Sequence, residues 1–222
     1  AEQCVERYLE LAEVKDEMLK VVATPCIDDH QLRPEDFVEH GALAPIAARV
    51  VLKVLFLARV SRPDLLWSVN TLARMVTRWN LASDKRLHRL ICYLKHTKHY
   101  VQTCFVGDRA EDCRLALFAD ASFGGDLIDS KSTSGGYLFI VGPNNSVTIT
   151  WMCKKQGVVS HSSTEAEVVS LDSAIRMEGL PALNMMDQIV RLLKCGGGKK
   201  PIENPCKSKE GSPANKNQGR PT

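Results

Sequence analysis

The run Gly135-Gly136-Tyr137-Leu138-Phe139-Ile140-Val141-Gly142, the triplet Pro143-Asn144-Asn145 and the run Ser146-Val147-Thr148-Ile149-Thr150-Trp151-Met152-Cys153 follow one another directly, and they decide the fold. The first run is apolar, of strand length and bracketed by glycines. The second alternates, with Val147, Ile149 and Trp151 on one face and Thr148, Thr150 and Met152 on the other. Pro143-Asn144-Asn145 supplies the chemistry of a hairpin turn between them. Upstream, Arg114-Leu115-Ala116-Leu117-Phe118-Ala119 is a third short apolar run. The three together predict an antiparallel three-stranded meander.

On either side the apolar period changes to three-to-four residues. Residues 1–20 read as a helix, 24–34 as a loop, and 45–60 as a buried helix apolar nearly all round, with Pro45 acceptable in its first turn. Ser61-Arg62-Pro63-Asp64 ends it. Leu66, Val69, Leu72, Ala73 and Val76 mark the next helix, and residues 84–98 another. After the meander, a helix is expected over 163–178, stopped by Gly179 and Pro181, then an amphipathic segment over 182–194. The expected class is α+β or α/β: a mainly helical region over 1–104, a sheet-bearing domain over 105–195, and a disordered polar and basic tail over 196–222.

Of the 222 residues, 44% are hydrophobic and 25% charged, which are globular values and exclude a largely disordered or fibrous chain. The net charge of +3 is uneven. The tail after Cys195 holds six Lys/Arg and two Glu; removing these from 29 and 26 leaves 23 and 24, so residues 1–195 are net −1. The eight cysteines are scattered without C-x-x-C spacing, and the six histidines show no zinc-ligand spacing. Buried reduced thiols are expected. The longest apolar run, 43–60, is interrupted by Pro45, Arg49, Lys53 and Arg59 and does not read as a membrane span. An intracellular setting is expected, either cytoplasmic, as in a virus-like particle, or nuclear. The first residue, Ala1, suggests a fragment of a longer chain.

Four features could carry chemistry. Asp120 is the first polar side chain after an apolar strand, where a carboxylate suits a hard cation or simply starts a turn. Glu165 and Glu167 open the helix after the third strand. If Ser162 caps that helix, Glu165 completes a capping box and Glu167 is left free; if Thr164 is the cap, the roles exchange. Residues 74–98 hold seven Lys/Arg and one acid, Asp84, with Trp79, His88, Tyr93 and His96 interleaved. Within that stripe Lys85, Arg86, Arg89 and Lys95 could track a phosphate backbone or form a solvated helix face. Lys154-Lys155 is a smaller basic spot. Gly125–Ser132 is only a near-miss of a phosphate loop, since Ser130 replaces a required glycine and a strand follows. His161 between Ser160 and Ser162 has no triad geometry.

These residues resemble the end of a copia-type reverse transcriptase followed by that family's ribonuclease H domain. Arg62-Pro63-Asp64-Leu65, Val69-Asn70-x-Leu72-Ala73-Arg74 and Lys85-Arg86-Leu87-x-Arg89-x-x-x-Tyr93-Leu94-Lys95-x-Thr97 match the first part. Ala119-Asp120-Ala121-Ser122-Phe123-Gly124-Gly125-Asp126, Asp129-Ser130-Lys131-Ser132-Thr133-Ser134-Gly135-Gly136-Tyr137, Trp151-x-x-Lys154-Lys155-Gln156 and Ser162-Ser163-Thr164-Glu165-Ala166-Glu167 match the second, in order. The match covers roughly residues 60–178.

The resemblance implies a ribonuclease H-like fold and hydrolysis of RNA in RNA–DNA hybrids with two Mg²⁺ ions. Asp120 would be a metal ligand, and so would Glu167, which matches the family position better than Glu165. Lys131, Lys154 and Lys155 would contact phosphate, and the 2′-hydroxyl would mark RNA. Expected partners are an RNA–DNA hybrid or other nucleic acid and the rest of the Pol polyprotein, with no membrane. The family's further carboxylate, in a downstream Asp-Asn-x-x-Ala segment on a fourth strand, has no counterpart within residues 1–222. The implied fold is therefore incomplete, the first strand keeps an open edge, and the activity is expected to be impaired. The alternative is a non-catalytic nucleic-acid-binding remnant of a mobile element.

Overall fold

The computed structural model describes residues 1–126 and 129–195. The expected disordered tail over 196–222 lies outside the described residues. One compact unit spans Ala1–Leu183, and a second begins at Asn184. Among the described residues six α-helices and one three-stranded antiparallel sheet form an α+β architecture.

Helix α1 spans Glu2–Ala12 and buries Cys4, Val5 and Tyr8, which lie at three-to-four spacing. It stops well before residue 20, because Glu13 takes a left-handed conformation with φ of 53°. That turn sends Leu19 into the same core as Tyr8. Helix α2, Ala44–Val60, buries Ala47, Val50, Val51, Val54 and Ala58. Its other face leaves Leu52, Phe56 and Val60 exposed, so the expected all-round burial is corrected to one face. Helix α3, Leu66–Met75, and helix α4, Leu81–His96, complete the helical cluster. Asn80 caps α4, its side chain accepting from the Ser83 N–H at 2.9 Å. Gly41 passes so close that an added Cβ would stand 2.5 Å from the Asn80 carbonyl oxygen.

The sheet has the order β1-β2-β3, with β1 Arg114–Ser122, β2 Thr133–Val141 and β3 Ser146–Lys155. The register pairs Phe118 with Tyr137 and Tyr137 with Trp151, so an aromatic row crosses all three strands on one face. Ile149 is an extra residue, since Leu138 pairs with Thr150 and Phe139 with Thr148. This bulge breaks the strict alternation expected along 146–153.

Helix α5, Ser163–Ala174, packs on the sheet face opposite the aromatic row. A Cβ on Gly136 would meet Met152 Cγ at 2.8 Å and Ala174 Cβ at 3.3 Å, so glycine is what admits the helix there. Gly179 and Pro181 do not stop the chain as expected. A π-helical turn, Ile175–Gly179, runs into α6, Leu180–Cys195. Pro181 follows the π turn directly, within a continuous helical run.

The helical cluster and the sheet are joined within the first unit by two hydrogen bonds. Asn70 Nδ2 donates to the Cys153 carbonyl at 2.9 Å, and Trp151 Nε1 donates to the Ala58 carbonyl at 2.9 Å. Cys4 and Cys92 are buried, Cys26, Cys113 and Cys153 half-buried, and Cys104 exposed, all six as free thiols. Among the described residues no helix is long and apolar enough to cross a membrane.

Candidate functional site

Asp120 lies near the C-terminal end of β1, paired with Gly135. Its carboxylate shares the aromatic face with Phe118 and Tyr137, and the residue is exposed. From the opposite face α5 grips the same position through backbone. Ser170 Oγ donates to the Asp120 carbonyl at 2.6 Å and approaches the Gly135 carbonyl at 3.3 Å. Glu167 precedes Ser170 by one turn on the same side of α5 and is exposed.

Ser162 is the cap of α5: its hydroxyl accepts from the Glu165 N–H at 3.1 Å. Glu165 Oε2 in turn accepts from the His161 N–H at 2.7 Å. Glu165 is thus used in holding the helix start, which is the condition that leaves Glu167 unengaged. Gln156 ties the parts together from a buried position. Its Nε2 donates to Ser134 Oγ and the Ala166 carbonyl, and its Oε1 accepts from Ser160 Oγ. Pattern reading placed Gln156 in a motif without a role; its burial among three polar partners supplies one.

Carboxylates at Asp120 and Glu167 have the right chemistry for a hard cation. Among the described residues, however, no three His, Cys, Asp or Glu side chains converge. Two exposed carboxylates without a third donor among the described residues do not fit a two-metal site.

The expected phosphate contacts fall into two groups. Lys85 Nζ lies 2.5 Å from Asp36 Oδ2, and Arg86 pairs with Asp29. Arg89 donates to the Thr24 carbonyl and hydroxyl at 3.0 Å each, and Lys95 Nζ lies 2.7 Å from Asp16 Oδ2. The Lys85 contact holds the Asp36 carboxyl below the usual carboxylate range. All four cations of α4 therefore fasten the segment 16–36 across the helix.

In the second group Lys155 is also committed, to Asp126 Oδ2 at 2.5 Å and Asp129 Oδ1 at 2.7 Å. Its hydrogen bond holds the Asp129 carboxyl below its ordinary value. Lys154 is exposed, with Met177 Sδ at 3.9 Å as its contact, and Lys131 is half-exposed. Neither has a carboxylate partner among the described residues.

Motif residues that look functional in sequence also prove to be fasteners. Arg62, 4% exposed, forks onto Asp64 with bonds of 2.8 and 2.7 Å and donates to the Thr97 carbonyl and hydroxyl. Asp84, the one acid of the basic stripe, accepts from the Ala42 and Leu43 N–H groups and from Trp79 Nε1. It thereby secures the chain just before α2.

The chain is similar to the secreted RxLR effector protein 161 of Plasmopara viticola, with 34% identity over 54% of this chain and 80% of that protein. It is also similar to the retrovirus-related Pol polyprotein from transposon TNT 1-94 of Nicotiana tabacum, with 30% identity over 76% of this chain. The corresponding polyprotein from transposon RE1 of Arabidopsis thaliana is 31% identical over 57% of this chain. The matched stretches are 12% and 8% of those two polyproteins. No family model matches the chain, and no solved structure matches it.

Proposed function

We propose, for a chain that belongs to the copia-type retrotransposon Pol polyproteins, that its described residues carry the end of the reverse transcriptase and the start of a ribonuclease H-like domain. In this reading Asp120 and Glu167 are its share of a site that hydrolyses RNA in RNA–DNA hybrids. One observation supports it: Ser170 Oγ donates to the Asp120 carbonyl, so the helix bearing Glu167 is tied to the strand bearing Asp120, with the Asp120 carboxylate itself on the other face of the sheet. Lys131 and Lys154, which have no carboxylate partner among the described residues, would be its phosphate contacts, and the 2′-hydroxyl would distinguish RNA from DNA.

The Mg²⁺ pair that the resemblance implies is not matched by the donors present among the described residues. Because two carboxylates alone hold it weakly, hydrolysis by residues 1–222 is absent or slight. The test is Mg²⁺-dependent cleavage of a labelled RNA–DNA hybrid by the purified chain. Background-level cleavage, together with hybrid binding weakened by Lys131→Gln, is the expected result. Robust cleavage abolished by Asp120→Asn would overturn the impairment. Robust cleavage indifferent to Asp120→Asn would overturn the site.

A second reading, a non-catalytic nucleic-acid-binding remnant, is favoured by the absence of a three-donor group among the described residues. Binding would then fall steeply with salt.

A further inference from the structure

The segment 16–36 crosses α4 as a strap with little packing of its own. Its regular structure is limited to short 3₁₀ turns at Asp16–Met18, Asp29–Gln31 and Pro34–Phe37. Within it only Leu19, Leu32 and Asp36 are buried. Beneath it lies a cavity of about 760 Å³, lined by Met18, Val22 and Leu32 from the strap and by Tyr8, His88 and Cys92 from α1 and α4. A segment that bridges a void forgoes much of the contact that close packing would give it.

Charge is what holds the strap. It carries six acids, Asp16, Glu17, Asp28, Asp29, Glu35 and Asp36, against Lys20 and Arg33, a net of −4. Helix α4 carries Lys85, Arg86, Arg89 and Lys95 against Asp84, a net of +3. Asp36 sits on Lys85, Asp29 on Arg86 and Asp16 on Lys95, and the Thr24 carbonyl takes Arg89. Lys85, Arg86 and Arg89 fall within about 100° of one another around the helix, at about 100° per residue. On that face two carboxylates and a carbonyl oxygen stand one per cation, as phosphate oxygens would on an open basic surface. Partly exposed pairs of this kind are individually weak. Tethering makes them win, because a tethered carboxylate is present at an effective concentration of roughly millimolar.

We infer that the segment 16–36 is a self-mask: it occupies the basic face of α4 in place of a nucleic-acid backbone, and its release uncovers a binding surface that the closed chain withholds. Neither Asp120 nor Glu167 takes part. A purely structural role for the same ion pairs predicts lost stability and no new binding.

The test compares the full chain with its Asp16→Ala/Asp29→Ala variant, using a labelled RNA–DNA hybrid in EDTA so that cleavage plays no part. Tryptic cutting after Lys20 and Arg33, both exposed, reads release of the strap. The variant should be cut severalfold faster there, and the parent should approach that rate as salt is raised. Fluorescence anisotropy should show the variant binding the hybrid about threefold to tenfold tighter, with a log–log salt slope steeper by about 0.9 for each cation freed. Adding Arg86→Gln to that variant should cancel most of the gain. Glu6→Gln with Glu13→Gln, which removes two acids from the exposed side of α1 and its end, should leave affinity within about twofold of the parent. Faster cutting without a gain in affinity would overturn the inference, as would a gain equalled by the Glu6/Glu13 pair. So would a cutting rate that neither the variant nor salt changes. If the double variant loses its thermal transition, Asp29→Ala alone carries the same comparisons. No step depends on Mg²⁺, so failure of hybrid cleavage and failure of the mask are separate results.

Discussion

Two basic surfaces on this chain look alike in sequence and differ in the fold. Helix α4 presents Lys85, Arg86, Arg89 and Lys95, and every one of them is occupied by the segment 16–36. Elsewhere Arg74 pairs with Asp126 at 3.9 Å, while Lys154, on the α5 side of the sheet, contacts Met177 Sδ at 3.9 Å and has no carboxylate partner among the described residues. A cation already 2.5–3.0 Å from an acid or carbonyl gives up that contact before it can meet a phosphate. A free one gives up only water and counterions. The denser charge run is therefore the weaker candidate for nucleic acid, and the single cation Lys154 the stronger.

The comparison breaks most visibly at Asp84. It is 9% exposed and serves three donors, so Asp84→Ala strands two backbone N–H groups and the Trp79 indole. A loss of about 3 kcal/mol is expected in urea denaturation. A loss under about 1 kcal/mol would show that the start of α2 does not depend on α4.

Next comes a double dissociation. Arg86→Gln with Arg89→Gln should lower stability by about 1–2 kcal/mol, because each tie is partly exposed, and leave oligonucleotide affinity within about twofold. Lys154→Gln should do the reverse, weakening binding about threefold with little change in unfolding. If the α4 pair governs affinity instead, the segment 16–36 is displaced by nucleic acid and the comparison inverts.

A smaller effect distinguishes the two carboxylates at α5. Ser162→Ala removes the cap and should cost about 1 kcal/mol. Glu167→Gln should cost almost nothing, since Glu167 is exposed and holds no local bond, whereas Glu165→Gln should weaken the helix start measurably.

The smallest is a pH effect under the segment 16–36. Burial pushes the His88 imidazole below its ordinary value, against a bond it donates to the Met18 backbone, and Nδ1 pairs with Tyr8 Oη at 2.9 Å. As pH falls below about 6.5 the unfolded chain takes up a proton before the folded one does. Stability from this group is thus full above about pH 6.5 and declines below it, until His88 itself is protonated. His88→Gln should flatten that part of the pH profile of the thermal midpoint.

Much of this was legible from residues alone. Alternation and the Pro143-Asn144-Asn145 turn placed the strands. What stayed hidden depends on distance along the chain. The partners of Lys85, Arg86, Arg89 and Lys95 lie 49 to 79 residues away, so no local pattern announces them. The aromatic row exists only in the β1-β2-β3 register, and the bulge at Ile149 has no signal in a run of alternating residues. Gly179 and Pro181 read as a stop because their composition is that of a breaker; a π turn accommodates one and a helix start the other.

The central proposal, that Asp120 and Glu167 are part of a hybrid-hydrolysing site that the described residues do not complete, is tested most directly by one assay. Labelled RNA–DNA hybrid is incubated with the purified chain over a range of Mg²⁺ concentrations, beside its Asp120→Asn variant. The account predicts background-level cleavage for both at every concentration. Robust cleavage by the parent that vanishes in Asp120→Asn would contradict it.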